Sequence, residues 1–142
     1  MVDDSAEDQA FVRYALEKSG VGKGFVAVND GLEAIDYLKA EGPFADRQKY
    51  PLPNMVLCDI KMPRMDGFEF LGWVKRHAGC SVIPTIVFSS SGMPDDVKKA
   101  YELGANAYIV KPTNLNELVE IIKKTCEFWE VCQRPPMPED CS

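Results

Sequence analysis

The sequence predicts an α/β fold with a doubly wound parallel sheet, because strand-like and helix-like segments alternate along the chain. Four short apolar runs have the composition of buried strands, namely residues 25–28, 55–58, 83–88 and 107–110. Strands of this kind are apolar on both faces, so helices must cover both sides of the sheet. With 142 residues, of which 46% are hydrophobic, the chain is long enough for one core and one domain.

Five helical segments are expected beside these strands. The first begins at Ser5, where Ser5 and Asp8 have the spacing of a capping box, and Gly20 offers its end. The second follows Asp30. The others are expected at about 66–77, 95–103 and 116–129.

Polar side chains follow three of the predicted strands. Asp59 follows 55–58 and precedes a turn with Pro and Gly, Ser89 follows 83–88, and Lys111 follows 107–110. The carboxyl ends of parallel strands lie at one edge of the sheet, so a carboxylate, a hydroxyl and an ammonium should converge there. Each residue alone has an ordinary explanation as a helix cap or turn residue. Their combination indicates a functional site.

Asp3 and Asp4 add two carboxylates just before the first helix. With Asp59 they would form the oxygen-rich kind of site that Mg²⁺ prefers. Transfer of a phosphoryl group to a carboxylate needs a divalent cation, together with a fixed cation and a hydrogen-bond donor for the phosphoryl oxygens. Lys111 and Ser89 are of the right types for the last two tasks.

In type, order and approximate spacing, these residues resemble the functional residues of the response-regulator receiver domain, the chemotaxis-regulator-like module of two-component signalling. The likeness runs from residue 3 to about 131. It implies a five-stranded sheet of order 2-1-3-4-5 flanked by five helices. The long connection at 42–54, with 108–112 and the pair at 128–129, is most similar to single-domain receivers associated with bacterial phytochrome kinases.

The resemblance implies a role for each matching residue. Asp59 would be the phosphoacceptor, and Ser89 and Lys111 would contact the phosphoryl group. The ligands of Mg²⁺ would be Asp3, Asp4, Asp59 and the backbone carbonyl of Lys61. The chain would catalyse its own phosphorylation and dephosphorylation at Asp59 without being a conventional enzyme.

The resemblance also implies how the signal is passed on and how long it lasts. Ser89 and Tyr108 would form a switch in which the tyrosine ring turns from solvent toward the core. Lys61 and Ser91 would flank the route of attacking water and so tune the phosphorylated lifetime. A histidine kinase, of the phytochrome type by the subfamily likeness, would be the partner. Output would run through a homodimer of the fourth helix, fifth strand and fifth helix.

The first strand is the main departure from the family pattern. Receivers carry about five apolar residues before the acidic pair, whereas only Met1 and Val2 precede Asp3 here. We therefore expect the first strand to be missing or truncated, so that neighbouring strands lose hydrogen-bond partners. A misplaced start or a truncated sequence explains this more readily than a strandless protein. If the shortening is real, the metal site formed by Asp3 and Asp4 is in question.

Composition narrows the class of protein further. The net charge of −6 argues against binding to nucleic acid backbones, and no apolar run approaches the length of a membrane span. Five cysteines without a C-x-x-C pair, and no signal peptide, favour a reducing cytoplasm. Cys58 is expected to fill the core, and His77 to lie at the surface.

The last eleven residues, 132–142, contain three prolines and two acids. They are expected to form an extended or disordered tail after a receiver domain at 1–131. Two functional classes stay open. The intact set of Asp59, Ser89 and Lys111 favours a phosphorylation-dependent regulator, whereas the short first strand favours a receiver-like interaction module that works without phosphorylation.

Overall fold

The structure is a computed structural model that describes residues 1–21, 24–138 and 141. Within those residues, five α-helices alternate with three parallel strands, which confirms the predicted fold class. The helices are α1 (Ala6–Ser19), α2 (Gly31–Lys39), α3 (Gly67–Arg76), α4 (Pro94–Glu102) and α5 (Leu115–Val131), and a 3₁₀ helix spans Gly42–Phe44. The strands are β1 (Val56–Cys58), β2 (Thr85–Ser89) and β3 (Ala107–Val110), arranged in the order β1-β2-β3.

Val2 occupies the centre of the sheet. It forms one parallel bridge with Val28 and another with Cys58. Its amide donates to Leu57 O at 2.7 Å, and its carbonyl accepts from the Asp59 amide at 2.9 Å. Across the sheet the order is therefore Val28, Val2, β1, β2, β3, which is the 2-1-3-4-5 order expected of a receiver. The first strand is short, as expected, but its central position in the sheet is filled.

The predicted strand at 25–28 is reduced to the single bridge of Val28. Beside it, the amino group of Met1 donates to Val26 O at 2.8 Å. Burial lowers the pKa of that amino group to about 6. A cavity of about 600 Å³ opens beside it, lined among others by Phe25, Met55 and Trp129. The amino end of the sheet therefore borders an open cavity.

The core lies on both faces of the sheet. On one face, Val12 and Ala15 of α1 pack with Leu118 and Ile122 of α5 against Leu57 and its neighbours. On the other face, α2 and α3 cover Cys58, and α3 and α4 cover Val87. Cys58 is 1% exposed, so its expected place in the core is confirmed. Helices on both faces are what doubly wound topology requires.

The end of the chain returns to the core. No helix or strand lies in 132–138, and residues 139, 140 and 142 of the predicted tail lie outside the described residues. Cys141, however, is buried and forms a disulfide with Cys80, with a Cα–Cα distance of 5.3 Å. His77 Nε2 lies 2.7 Å from Cys141 O, and its ring stacks on Trp73. His77 thus stays partly exposed at the surface and contacts the tail through Cys141.

Of the large side chains at the end of α5, one packs against the core and two face solvent. Trp129 packs against the α1–α5 cluster, whereas Phe128 is 59% exposed and Val131 83% exposed. Core packing thus accounts for Trp129 but leaves the other two side chains on the surface.

Candidate functional site

Four charged side chains meet at the carboxyl edge of the sheet. The ammonium of Lys111 donates to Asp3 Oδ2 at 2.7 Å, to Asp8 Oδ2 at 2.8 Å and to Asp59 Oδ2 at 3.1 Å. The side chain of Lys111 is only 11% exposed. All three protons of the ammonium thus have a carboxylate to bind. The structure brings together Asp3, Asp59 and Lys111, which are distant along the chain, and adds Asp8 to them.

Local hydrogen bonds fix the carboxylates of Asp3 and Asp59. The Ser5 amide donates to Asp3 Oδ1 at 2.9 Å, and Gln9 Nε2 donates to the backbone carbonyl of Asp3 at 2.6 Å. The Ile60 amide donates to Asp59 Oδ1 at 2.7 Å. In each carboxyl group one oxygen is held by a backbone amide and the other is turned to Lys111. The two carboxylates are therefore held in place by hydrogen bonds from the chain itself.

Asp8 is the site residue that sequence reasoning missed. It lies in the first turn of α1, where Ser5 Oγ accepts a hydrogen bond from its amide at 3.1 Å. In a full capping box its side chain would return to the Ser5 amide, but Asp3 already accepts from that amide. The Asp8 carboxylate is therefore free to bind Lys111. The capping-box spacing predicted the helix start and gave no sign of this second contact.

Burial and ion pairing act in opposite directions on the pKa values of this cluster. Burial raises the pKa of Asp3 above its ordinary value, against the lowering effect of the hydrogen bond from Lys111. For Lys111, burial lowers the pKa, but the hydrogen bonds to Asp3 and Asp8 outweigh it and raise the pKa overall. Burial thus dominates for Asp3, and ion pairing dominates for the ammonium, which stays charged at neutral pH.

Three carboxylates could hold a metal ion. Oxygens of Asp3, Asp4 and Asp59 all lie within 4.8 Å of one another. Asp3 is buried, Asp59 is half-buried and Asp4 is exposed, so the cluster opens to solvent on one side. Hard divalent cations that keep some water ligands suit such a set of oxygens. Lys61 lies two residues after Asp59 with its side chain exposed, and the part of its backbone carbonyl in metal binding stays a prediction.

Gly67 allows α3 to approach the backbone of Asp59 closely. Its amide donates to Ile60 O at 2.8 Å, which closes the turn after β1. A Cβ atom at position 67 would lie 1.9 Å from Asp59 O, far inside van der Waals contact. The glycine is thus required by the close approach of two backbones. It sets where Asp59 sits relative to the first turn of α3.

Ser89 and Tyr108 are linked through Ser91. Ser89 is buried at the end of β2, and its Oγ accepts from the Ser91 amide at 3.2 Å. The Ser91 carbonyl accepts from Tyr108 OH at 2.7 Å. The ring of Tyr108 is half-buried and packs against a core cluster that contains Val87 and Ala100. It therefore lies deeper here than the solvent-facing position expected for the start of the switch.

Ser91 and Lys61 differ in how firmly they are held. Ser91 Oγ donates to Asp96 Oδ2 at 2.5 Å and accepts from the Met93 amide at 3.3 Å. Its side chain is thus tied to the start of α4, whereas that of Lys61 is exposed. Of the two predicted lifetime-tuning residues, Lys61 is the one with a side chain that can reorient.

Comparison with known proteins identifies the family and supports the fold. Residues 1–123 match the family described as the response regulator receiver domain. The chain belongs to this family. It is a receiver of a two-component phosphorelay, and the recognition made from Asp59, Ser89 and Lys111 is confirmed. Among the described residues, no helix is both long enough and apolar enough to cross a lipid bilayer.

The chain is similar to several phytochrome response regulators. It is 33% identical to response regulator Rcp1 of Synechocystis, over 91% of this chain and 86% of that one. The structure of a phosphorylated cyanobacterial phytochrome response regulator, RcpA, superposes with a TM-score of 0.85 at 36% identity, covering 94% of each chain. The Mn²⁺-bound form of Rcp1 superposes with a TM-score of 0.82 at 32% identity, covering 94% of this chain and 95% of that one.

Proposed function

We propose that Asp59 accepts a phosphoryl group from a histidine kinase, with Lys111 and Ser89 binding the phosphoryl oxygens. The observation that carries this proposal is the ammonium of Lys111 at 3.1 Å from Asp59 Oδ2. A fixed cation beside a carboxylate at a sheet edge stabilises negative charge that develops as a phosphoryl group arrives. The carboxyl edge of an open parallel sheet is also where ligands bind in such folds.

The transfer exchanges one bond for another. As an oxygen of Asp59 bonds to phosphorus, the bond from phosphorus to the donor nitrogen breaks, and the leaving imidazole takes up a proton. Lys111 moves one of its hydrogen bonds from Asp59 to a phosphoryl oxygen. Ser89 adds a hydroxyl donor from the neighbouring strand. These side chains bind and orient the group.

We assign Mg²⁺ as the cofactor, held by Asp3, Asp4 and Asp59 and the backbone carbonyl of Lys61. The fit rests on three carboxylates with oxygens within 4.8 Å of one another. When bound, the ion neutralises charge on the phosphoryl oxygens. The Mn²⁺-bound structure of Rcp1 supports a divalent ion in this family, and the choice of Mg²⁺ rests on the all-oxygen donor set.

Signal output is proposed to start at Ser89. A phosphoryl group on Asp59 would draw the Ser89 hydroxyl toward it and away from the Ser91 amide. Because Ser91 also holds Tyr108, the tyrosine would be released to move deeper into the core. A coupling of this kind is worth about 1–3 kcal/mol, enough to shift a population between two packings.

The surface of α4, β3 and α5 is the proposed output face. It carries Tyr101, Val110 and Leu115, which are 50%, 46% and 40% exposed. Release of Tyr108 would repack this face and strengthen a homodimer contact there. The kinase partner is proposed to be of the phytochrome type, since one similar structure is that of a cyanobacterial phytochrome response regulator, RcpA. We also propose that the protein is cytoplasmic, and that the chain consists of a receiver domain at 1–131 followed by a tail at 132–142.

Phosphorylation-independent interaction was the alternative, and it was favoured by the short first strand. Val2 bridges both neighbouring strands, so that observation no longer favours it. The ion cluster around Lys111 favours the phosphorylated regulator instead.

A mass measurement tests the proposal. Incubation with phosphoramidate and Mg²⁺ should add one phosphoryl mass to the protein, and Asp59→Asn should abolish it. Asp95→Asn, at an exposed acid in the first turn of α4, is the matched control and should behave as wild type. Retention of the added mass in Asp59→Asn would refute the assignment of the phosphoacceptor.

A further inference from the structure

Lys111 binds three carboxylates, and they differ in what else they must do. Asp3 and Asp59 belong to the oxygen cluster assigned to the metal, and Asp59 also receives the phosphoryl group. Asp8 belongs to neither set, yet its Oδ2 lies 2.8 Å from Lys111 Nζ. When Asp3 and Asp59 bind other groups, their oxygens are shared or withdrawn from the ammonium. Asp8 is then the carboxylate that keeps its contact with Lys111.

The position of Asp8 is fixed by α1. Its backbone lies in the first turn, capped by Ser5 Oγ, and Asp3 holds the Ser5 amide, so no cap contact competes for the Asp8 carboxylate. The neighbouring acid in the same turn, Glu7, is exposed. Of these two adjacent acids, Asp8 contacts Lys111 and Glu7 faces solvent. A helix of fourteen residues anchored in the core is a rigid support for such a contact.

We propose that Asp8 is a positioning residue for phosphoryl transfer, holding the ammonium of Lys111 beside the phosphoryl group on Asp59. This inference rests on the proposed function of Asp59. A lysine side chain has four rotatable bonds and loses considerable conformational entropy when it is held in one place. A carboxylate that contacts the ammonium before and after phosphorylation would keep it in position. Asp8 acts through Lys111 and touches no reacting atom.

Phosphorylation kinetics test this positioning. With phosphoramidate at saturating Mg²⁺, Asp8→Ala should lower the maximal phosphorylation rate by about tenfold, because misplacement of a catalytic group by a fraction of an ångström is costly. Asp8→Asn keeps an acceptor oxygen and should recover part of the rate. Glu7→Ala removes the same charge from the same helical turn and should leave the rate unchanged.

A double-mutant cycle separates action through Lys111 from a general effect of charge. In a Lys111→Met background the residual rate is already low, and Asp8→Ala should lower it no further. If Asp8 acted through the metal or through the overall field of the site, its full effect would persist in that background. Persistence of the effect would overturn the proposal.

A second readout uses no phosphorylation. In metal-free protein, acetic anhydride labelling of Lys111, measured by mass spectrometry relative to exposed Lys98, should rise severalfold in Asp8→Ala and stay unchanged in Glu7→Ala. Lys98, with 76% of its side chain exposed, serves as the internal reference. Unchanged labelling of Lys111 in Asp8→Ala, or a wild-type phosphorylation rate, would overturn the proposal. Failure of the wild-type protein to be phosphorylated would instead count against the proposed function of Asp59.

Discussion

Tyr108 donates a hydrogen bond from its hydroxyl to Ser91 O at 2.7 Å. Because the amide of the same Ser91 is bonded to Ser89 Oγ, the contact joins the end of β2 to a side chain of β3. The ring is half-buried in this arrangement. Movement of Ser89 would therefore reach Tyr108 through one residue, without any long chain of contacts.

Tyr108→Phe tests whether the hydroxyl contact holds the resting packing. Loss of a single hydrogen bond is worth about 1 kcal/mol, so the variant should self-associate more readily than wild type before phosphorylation. Sedimentation with and without a beryllofluoride phosphoryl mimic measures this. Tyr14→Phe, at an exposed tyrosine of α1, is the control. Identical association of Tyr108→Phe and wild type in both conditions would separate Tyr108 from output.

Lys61→Ala should shorten the phosphorylated lifetime. The side chain is exposed next to the site and can cover a phosphoryl group with its charge and its alkyl chain. Removal should open the path of attacking water and speed hydrolysis by a few fold. Loss of phosphoryl mass over time gives the rate, with Lys98→Ala as the control. A lifetime equal to or longer than that of wild type would contradict this role.

Gly67→Ala should damage both the fold and the site. The new Cβ would lie 1.9 Å from Asp59 O, so the backbone must shift, at a cost of about 1–3 kcal/mol or more. Phosphorylation should fall with stability because Asp59 moves. Gly72→Ala is the matched control in the same helix, since its Cβ would meet only the flexible end of Arg76 at 3.3 Å. Urea denaturation measures the stability of both variants. Equal stabilities of Gly67→Ala and Gly72→Ala would contradict the close approach of α3 to Asp59.

Asp30→Asn should remove a pH-dependent part of the stability. Burial raises the pKa of Asp30, but its hydrogen bonds with the Glu33 amide and with Arg64 outweigh this and hold the pKa below its ordinary 3.8. A lowered carboxyl pKa stabilises the fold above about pH 4, and this contribution is lost as the pH falls through the folded value. Asparagine caps α2 as well as aspartate does, so the loss at pH 7 should be about 1 kcal/mol or less, given the exposure of Arg64.

The pH dependence of unfolding between pH 7 and pH 3 provides the test for Asp30. The difference between wild type and Asp30→Asn should shrink as the medium becomes acidic. Arg64→Gln, which removes the other charge of the pair, should show the same trend. A difference that is constant across this range would mean that the charge of Asp30 contributes nothing.

Cys141→Ser should lower the free energy of unfolding by about 2–4 kcal/mol under non-reducing conditions, as expected for loss of a disulfide. The bond joins residues 61 apart and ties the tail to Cys80, a core residue that follows α3. Addition of a thiol reductant should destabilise wild type and leave Cys141→Ser unchanged. Cys132→Ser, at a free cysteine of the same tail, should keep the response to reductant.

The sequence by itself determined the five helices, three of the strands and the family. Capping residues such as Ser5, Asp30 and Asp66 are local signals, and each caps the helix that was predicted from it. Asp59, Ser89 and Lys111 were assigned to one sheet edge because parallel strands align their carboxyl ends. These inferences need only local sequence patterns and the rule that parallel strands end at the same edge of a sheet. They can therefore be made without knowing how the core packs.

Tertiary structure decided which additional side chains join the site and how the chain ends are held. Glu7 and Asp8 look alike in the first turn of α1, and only the approach of β3 to α1 places Lys111 beside Asp8. Val2 bridges both Val28 and Cys58 and so fills the central position of the sheet. The two residues before Asp3 were too few to predict a strand there. Cys80 and Cys141 likewise become neighbours only through folding. Such contacts link residues distant in sequence, and their partners are set by the packing of the whole core, which no local pattern records.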